Sequence, residues 1–136
     1  MQAHAIMRNC EHPPRKVRRV TDAIRGRRVN EALAILRFLP NTPARDVYTT
    51  LASAAANAEY QANEANDTSF DPNELWVVNA ISDEGMKIKR FRARSHGRTS
   101  RIMRRNTHIT VIITDDPADI GRHARHSAQR RPGPVS

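Results

Sequence analysis

The sequence predicts an α+β domain in which three helices pack on a small antiparallel sheet and a long basic β-hairpin protrudes from two of its strands. Apolar residues recur at helical spacing in three segments of the first half of the chain. Two later segments, 75–81 and 108–113, have the apolar patterns of β-strands. Between these, residues 86–106 contain many Lys and Arg and no Asp or Glu. A basic segment with strand signals on both flanks indicates a hairpin rather than a tail.

The first element is a short strand at residues 3–9, which we expect at the edge of the sheet. His12-Pro13-Pro14 ends it, and a helix begins at Pro14 or Arg15, since proline is tolerated in a first helical turn. Gly26 is the expected end of this helix. Its apolar stripe comprises Val17, Val20 and Ile24.

Two more helices follow. Asn30 is the expected N-cap of the second, and Pro40 ends it. Its buried residues are expected to be Ala32, Leu33 and Leu36. The third begins with Thr42 as N-cap and Pro43 in the first helical position. Its stripe is rich in alanine, which indicates close approach to a neighbouring element: Val47, Leu51, Ala54, Ala55, Ala58 and Ala62.

The strands occupy the second half of the chain. Residues 66–73 are rich in Asn, Asp, Ser and Pro and should form a loop. The segment 75–81 is apolar at successive positions, as in a strand buried on both faces. The segment 108–113 is the return strand, and Asp115-Asp116 ends it. A hairpin limb of about ten residues would project on the order of 30 Å.

Composition limits the chain to one modest core. It has 136 residues, a net charge of +9, a pI near 11.1 and only 4% aromatic residues. We expect one domain over residues 1–114, including a hairpin at 84–107, and a flexible extension at 115–136. The arginines of that extension, which either contact RNA or are simply solvated, are Arg122, Arg125, Arg130 and Arg131.

The charge distribution predicts a polyanionic partner. Basic residues are concentrated at 8–28 and 86–106, whereas Arg45 is the single basic residue between 41 and 85. Two basic blocks around an acidic middle predict a polarised surface, and a phosphate backbone is the natural ligand for its basic side. Phe91, the aromatic residue of the arm, either stacks on a base or packs against Ile102 across the hairpin.

Other functional classes lack signals in the sequence. There is no glycine-rich phosphate loop, no Cys/His cluster at metal-ligand spacing and no nucleophile with a plausible base, so we predict neither enzymatic activity nor a cofactor or metal. Cys10 is alone, which favours a reducing compartment and a role as a small, partly buried apolar residue. We expect no membrane association, because no apolar run is long enough to span a bilayer and no signal peptide is recognisable.

Four stretches resemble the family of the bacterial large-subunit ribosomal protein numbered twenty-two. They are PRKVRRVTDAIRGRRVNEALAILRFLP at 14–40, LASAAANAE at 51–59, DEG at 83–85 leading into KRFRARSHGR, and THITVII at 107–113. Together they span nearly all of the chain up to Thr114, in the family's order and spacing. Ala93 departs from the family, which usually has proline there.

The resemblance implies a structural protein that binds large-subunit rRNA and supports assembly and translation in a cytoplasmic or organellar ribosome. The globular part would lie near the peptide exit, beside other large-subunit proteins, and the hairpin would line the exit tunnel, where its tip meets the nascent peptide. The implied rRNA-binding residues are Arg15, Lys16, Arg18, Arg19, Arg25, Lys87, Lys89, Arg90, Arg92, Arg94, Arg98, Arg101, Arg104 and Arg105. The implied tunnel-tip residues are Arg94, Ser95, His96, Gly97 and Arg98.

Two other hypotheses remain open on the sequence. A free-standing nucleic-acid-binding regulatory protein could use the same arm on DNA or unstructured RNA. A DNA-binding protein would more often contain a recognisable docking element such as a helix-turn-helix. An enzyme acting on RNA is the third class, and no residue stands out for its chemistry.

Overall fold

Three helices pack against a three-stranded antiparallel sheet in the computed structural model, which describes residues 1–120. This arrangement confirms the predicted α+β class. The strand order is β1-β3-β2, so β3 is central. Helix α3 contacts β1, and α1 contacts β2. The elements are β1 (Gln2–Cys10), α1 (Pro14–Ile24), α2 (Val29–Phe38), α3 (Ala44–Glu64), a 3-10 turn (Pro72–Glu74), β2 (Trp76–Ala93) and β3 (Thr99–Thr114).

Strand β1 is an edge strand, as predicted. It pairs with β3 in a register that runs from Gln2 opposite Thr114 to Met7 opposite Ile109. The register shifts between Met7 and Cys10, where Asn9 has a φ of 57°. Asparagine tolerates this left-handed conformation better than most residues. The bulge turns the chain out of the sheet and toward α1.

The helices follow their predicted apolar stripes, but two N-caps differ from the prediction: the N-cap of α2 is Arg28 instead of Asn30, and that of α3 is Pro43 instead of Thr42. Val17, Val20 and Ile24 of α1 are fully buried. Helix α2 begins at Val29, so Asn30 lies inside it and its side chain donates to Asn73 Oδ1 at 3.0 Å. Helix α3 begins at Ala44 after Pro43, and the side chain of Thr42 does not cap it.

The prediction that 75–81 is buried on both faces is wrong. Val77, Val78 and Ala80 are buried, whereas Asn79 and Ile81 are partly exposed. A register shift between Val77 and Asn79 places an extra residue in β2. Because a bulge changes the phase of side-chain alternation, apolar residues of opposite parity reach the same core.

Strands β2 and β3 continue well beyond the core. They pair antiparallel from Trp76 opposite Thr114 to Ala93 opposite Thr99, which is compatible with the predicted hairpin. No residue from 83 to 106 is buried, whereas Ser82 and Thr107 are. The core therefore ends where the basic segment begins.

Residues 115–120 fold back on the sheet. The N-terminal amino group of Met1 lies 2.6 Å from Asp115 Oδ1, and Thr114 Oγ1 lies 3.3 Å from Asp119 Oδ2. The rest of the predicted extension, including its four arginines, lies outside the described residues.

Candidate nucleic-acid interface

The basic side chains of the hairpin divide between its two faces. Residues directly opposite each other in an antiparallel pair share a face, and successive residues alternate. The register pairs Arg90 with Ile102 and Phe91 with Arg101. One face therefore carries Ile88, Arg90, Arg92, Ser100, Ile102 and Arg104. The other carries Lys87, Lys89, Phe91, Ala93, Thr99, Arg101, Met103 and Arg105. A ribbon with cations on both faces can bind phosphates on both sides.

This register rules out packing of Phe91 against Ile102. The two side chains lie on opposite faces of the ribbon, and the alternation of side chains in a strand is the physical reason. Phe91 is 71% exposed. Stacking on a base is the role that its position leaves open.

The base of the hairpin is neutralised in part by Glu84. Its carboxylate lies 3.4 Å from Lys87 Nζ and 3.9 Å from an Arg105 guanidinium nitrogen. A second register shift, between Glu84 and Lys87, separates this region from the distal pairs. Exposed ion pairs of this kind contribute little to stability, so Lys87 and Arg105 stay available to a stronger ligand.

The distal cations are uncompensated. Within residues 1–120, no hydrogen bond or ion pair involves the side chains of Lys89, Arg92, Arg98, Arg101 and Arg104. Like charges on a two-stranded ribbon repel one another, and a polyanion relieves that repulsion.

A compact turn at Ser95–Gly97 closes the hairpin. His96 and Gly97 have φ values of 59° and 68°. Glycine adopts this left-handed conformation freely and histidine more often than most residues, which lets the chain reverse over the three residues between Arg94 and Arg98. The Arg98 amide donates to the Ser95 carbonyl at 3.4 Å, and Arg94 Nε donates to Ser100 Oγ at 2.8 Å. The predicted tip residues are thus all in or beside one turn.

The exposed face of α1 supplies the second set of cations. Its buried positions are Pro14, Val17, Val20, Thr21 and Ile24, which leaves the intervening basic residues on the solvent side. Those residues are Arg15, Lys16, Arg18 and Arg19, and all four are exposed.

A groove of about 1110 Å³ joins α1 to the hairpin. Its cations come from both basic blocks of the sequence: Arg15, Arg18, Arg90, Arg104 and Arg105. Asn9 and Asn106 also line it and add amide groups that can bind phosphate, beside the carboxylates of Glu11 and Glu84. The sequence does not predict that these two asparagines line one groove, because only the fold brings the end of β1 beside the base of the hairpin.

Arg25 differs from the other predicted rRNA-binding residues. Its guanidinium lies 3.0 Å from Asp22 Oδ1 and donates to Asn79 Oδ1 at 3.1 Å and to the Ala80 carbonyl at 2.8 Å. These contacts link the C-terminal end of α1 to β2. Arg25 therefore has a structural role in the domain that its charge alone did not indicate.

Cys10 has polar neighbours that its sequence context did not indicate. It is 2% exposed, and its Sγ donates to Asp46 Oδ2 at 3.2 Å. The same oxygen lies 3.3 Å from His12 Nε2. Burial, with the Asp46 carboxylate adding to it, raises the pKa of the Cys10 thiol to about 11.

Among the described helices, none combines the length and apolar character that crossing a membrane requires.

Comparison with known proteins identifies relatives over most of the chain. The family model described as ribosomal protein L22p/L17e matches residues 5–114. The large ribosomal subunit protein uL22 of Bifidobacterium longum strain DJO10A is 45% identical over 115 residues, which is 85% of this chain and 96% of the relative. The protein of the same name from Bifidobacterium animalis subsp. lactis strain AD011 is 43% identical over 119 residues, 88% of this chain and 99% of the relative.

Proposed function

Because the chain belongs to the ribosomal protein L22p/L17e family, we propose that it is a structural constituent of the large ribosomal subunit and binds the large-subunit rRNA. Its partners are that RNA and neighbouring ribosomal proteins. The role is one of holding RNA segments together during assembly and translation, not one of catalysis.

One observation carries the RNA-binding proposal. The β2–β3 ribbon extends beyond the core with no buried residue from 83 to 106 and with cations on both faces. A segment without a core of its own gains stability from a ligand that surrounds it. Phosphates on both sides, as in a cleft of folded RNA, match this charge distribution.

The groove between α1 and the hairpin supports a continuous binding surface. We propose that one RNA segment lies in it against Arg15 and Arg18, and that others flank the distal ribbon. The binding would depend on shape and backbone, since side chains cannot easily read bases in the deep groove of an RNA helix. Phe91 would add stacking on an unpaired base.

The position within the ribosome follows as a finer proposal. The globular part would lie near the peptide exit, and the ribbon would thread inward so that the turn at Ser95, His96 and Gly97 lines the exit tunnel. The nascent peptide would then pass beside this turn. The proposed location is a cytoplasmic ribosome.

The test is sedimentation of cell extract through a gradient in high salt, with the protein followed by immunoblot. An integral protein surrounded by rRNA should remain in the large-subunit fractions, because its cations are shielded from exchange with the buffer. Recovery at the top of the gradient would contradict the proposal and favour a free-standing nucleic-acid-binding regulatory protein. A second large-subunit protein followed in the same fractions controls for disassembly of the subunit.

A further inference from the structure

We propose that Cys10, His12 and Asp46 form a binding site for a single Zn²⁺ ion. The thiol sulfur, an imidazole nitrogen and a carboxylate oxygen of these residues all lie within 4.8 Å of one another. This cluster is separate from the basic residues of the hairpin, and the inference does not depend on RNA binding.

The spacing of the donor atoms fits a tetrahedral ion. Zinc bonds of about 2.3 Å to sulfur and about 2.0–2.2 Å to nitrogen and oxygen place neighbouring ligands roughly 3.3–3.6 Å apart. The Cys10 Sγ to Asp46 Oδ2 distance is 3.2 Å, and the His12 Nε2 to Asp46 Oδ2 distance is 3.3 Å. Small rotations of these side chains would admit the ion.

The donor set also fits zinc chemically. Zinc accepts sulfur, nitrogen and oxygen ligands together, whereas magnesium and calcium prefer oxygen alone. A thiolate, a carboxylate and a neutral imidazole balance the two positive charges of the ion. On binding, the Cys10 thiol loses its proton to solvent and its bond to Asp46 is replaced by coordination. A water molecule would occupy the fourth position, since three protein ligands leave one open.

The fold holds the three ligands in place from different elements. Cys10 ends β1, and His12 lies in the loop before α1. Asp46 lies in the first turn of α3. The His12 carbonyl accepts a hydrogen bond from Thr107 Oγ1 at 2.5 Å, and the Asn9 amide donates to His108 Nδ1 at 3.1 Å, so the loop is tied to β3 on both sides of Cys10. An ion here would cross-link β1, the α1 entry and α3.

The residues around the three ligands leave the site partly open to an ion from solvent. Cys10 is buried, whereas the His12 and Asp46 side chains are about a quarter exposed, at 26% and 29%. His12 also lines a pocket of about 360 Å³ that contains Lys16 and Arg19. Their charges repel a cation, so binding depends on direct coordination by the three ligands.

Cobalt substitution tests the site on the full, untagged chain. Cys10 is the sole cysteine of the sequence, so a thiolate-to-cobalt charge-transfer absorption reports this residue alone. Titration with Co²⁺ should produce that absorption and saturate it at one ion per chain, and Zn²⁺ should abolish it by displacement. Saturation with Co²⁺ without the absorption would overturn the proposal.

Variants distinguish the site from metal binding by other residues. Cys10→Ser should remove the absorption, and Asp46→Asn should weaken Zn²⁺ at least tenfold. His4→Gln, at an exposed position of β1, is the matched control for His12→Gln and should leave Zn²⁺ affinity unchanged. Equal affinity in wild type and Asp46→Asn would contradict the proposal. If a variant fails to fold, the ¹¹³Cd chemical shift of the wild-type chain still decides, because one thiolate ligand shifts it distinctly from an all-oxygen and nitrogen site.

Discussion

Gly85 and Gly97 are both in the hairpin, but different physical requirements select glycine at each. A Cβ atom at Gly85 would lie 3.1 Å from the backbone carbon and oxygen of Asn106 and 3.3 Å from a ring carbon of His108. At Gly97 there is open space, but φ is +68°. One position is limited by close approach of two strands, the other by backbone conformation.

We therefore expect Gly85→Ala to lower the free energy of unfolding by about 1–3 kcal/mol, because backbone atoms at the end of the core must move. Gly97→Ala should destabilise the local conformation of the turn by about 1 kcal/mol. The free energy of global unfolding should stay unchanged, because no residue of the distal ribbon belongs to the core. Urea unfolding of both variants measures the difference, and equal losses of stability would contradict it.

The buried thiol of Cys10 predicts a loss of stability at high pH. Burial raises its pKa from 9.0 to about 11 in the folded chain. The folded state therefore holds this proton more tightly than the unfolded state, and the resulting stability is complete below pH 9 and lost as pH rises through 11. In the presence of a chelator, the free energy of unfolding of wild type should fall between pH 9 and 11 relative to that of Cys10→Ser. A difference that stays constant over this window would show that the thiol does not titrate as the structure requires.

At the scale of elements, substitutions on the two faces of the ribbon distinguish RNA that surrounds the ribbon from RNA that contacts one face only. Arg90→Ala/Arg92→Ala removes two cations from one face, and Lys89→Ala/Arg101→Ala removes two from the other. If RNA surrounds the ribbon, each pair should reduce the slope of log affinity against log salt by roughly 1.4, at about 0.7 per phosphate contact. Arg37→Ala/Arg45→Ala, two exposed cations outside both basic blocks, is the matched control and should leave the slope unchanged. A reduction with only one of the hairpin pairs would mean that the ribbon lies on the RNA surface.

Helices were predictable here because each has an uninterrupted stripe of apolar residues, as in Val17, Val20 and Ile24. Their caps were less so, because Asn30 and Thr42 are good cap residues in sequence while tertiary contacts set the actual helix ends. The bulge near Val78 has no local signal, and it altered the expected burial of β2.

The cations of the interface could be listed from sequence, but not the groove, which requires β1, α1 and the hairpin base to meet. Phe91 illustrates the same limit, since one residue of register decides which face it occupies.

At the scale of the molecule, the core and the ribbon should be separable. Replacing residues 88–104 by an Asn-Gly turn between Lys87 and Arg105 keeps a register pair at the new end and a favourable two-residue connection. The shortened chain should unfold cooperatively with a stability within about 1 kcal/mol of wild type, because it loses no buried residue. It should also lose most of the salt dependence of RNA binding, since seven of the nine hairpin cations are removed. Calorimetry and salt titration measure the two effects, and a chain without a cooperative transition would contradict the division.

The central position of β3 also determines when the domain can fold during its own synthesis. Strand β1 is made first, yet its only neighbour in the described sheet is the strand made last. While the chain emerges, β1 and the helices precede the strand that completes the sheet. Contacts between residues more than a hundred positions apart close late, because the long intervening segment must be ordered first. A polyanionic partner that binds the basic segments before the sheet is complete would offset their mutual repulsion during that interval.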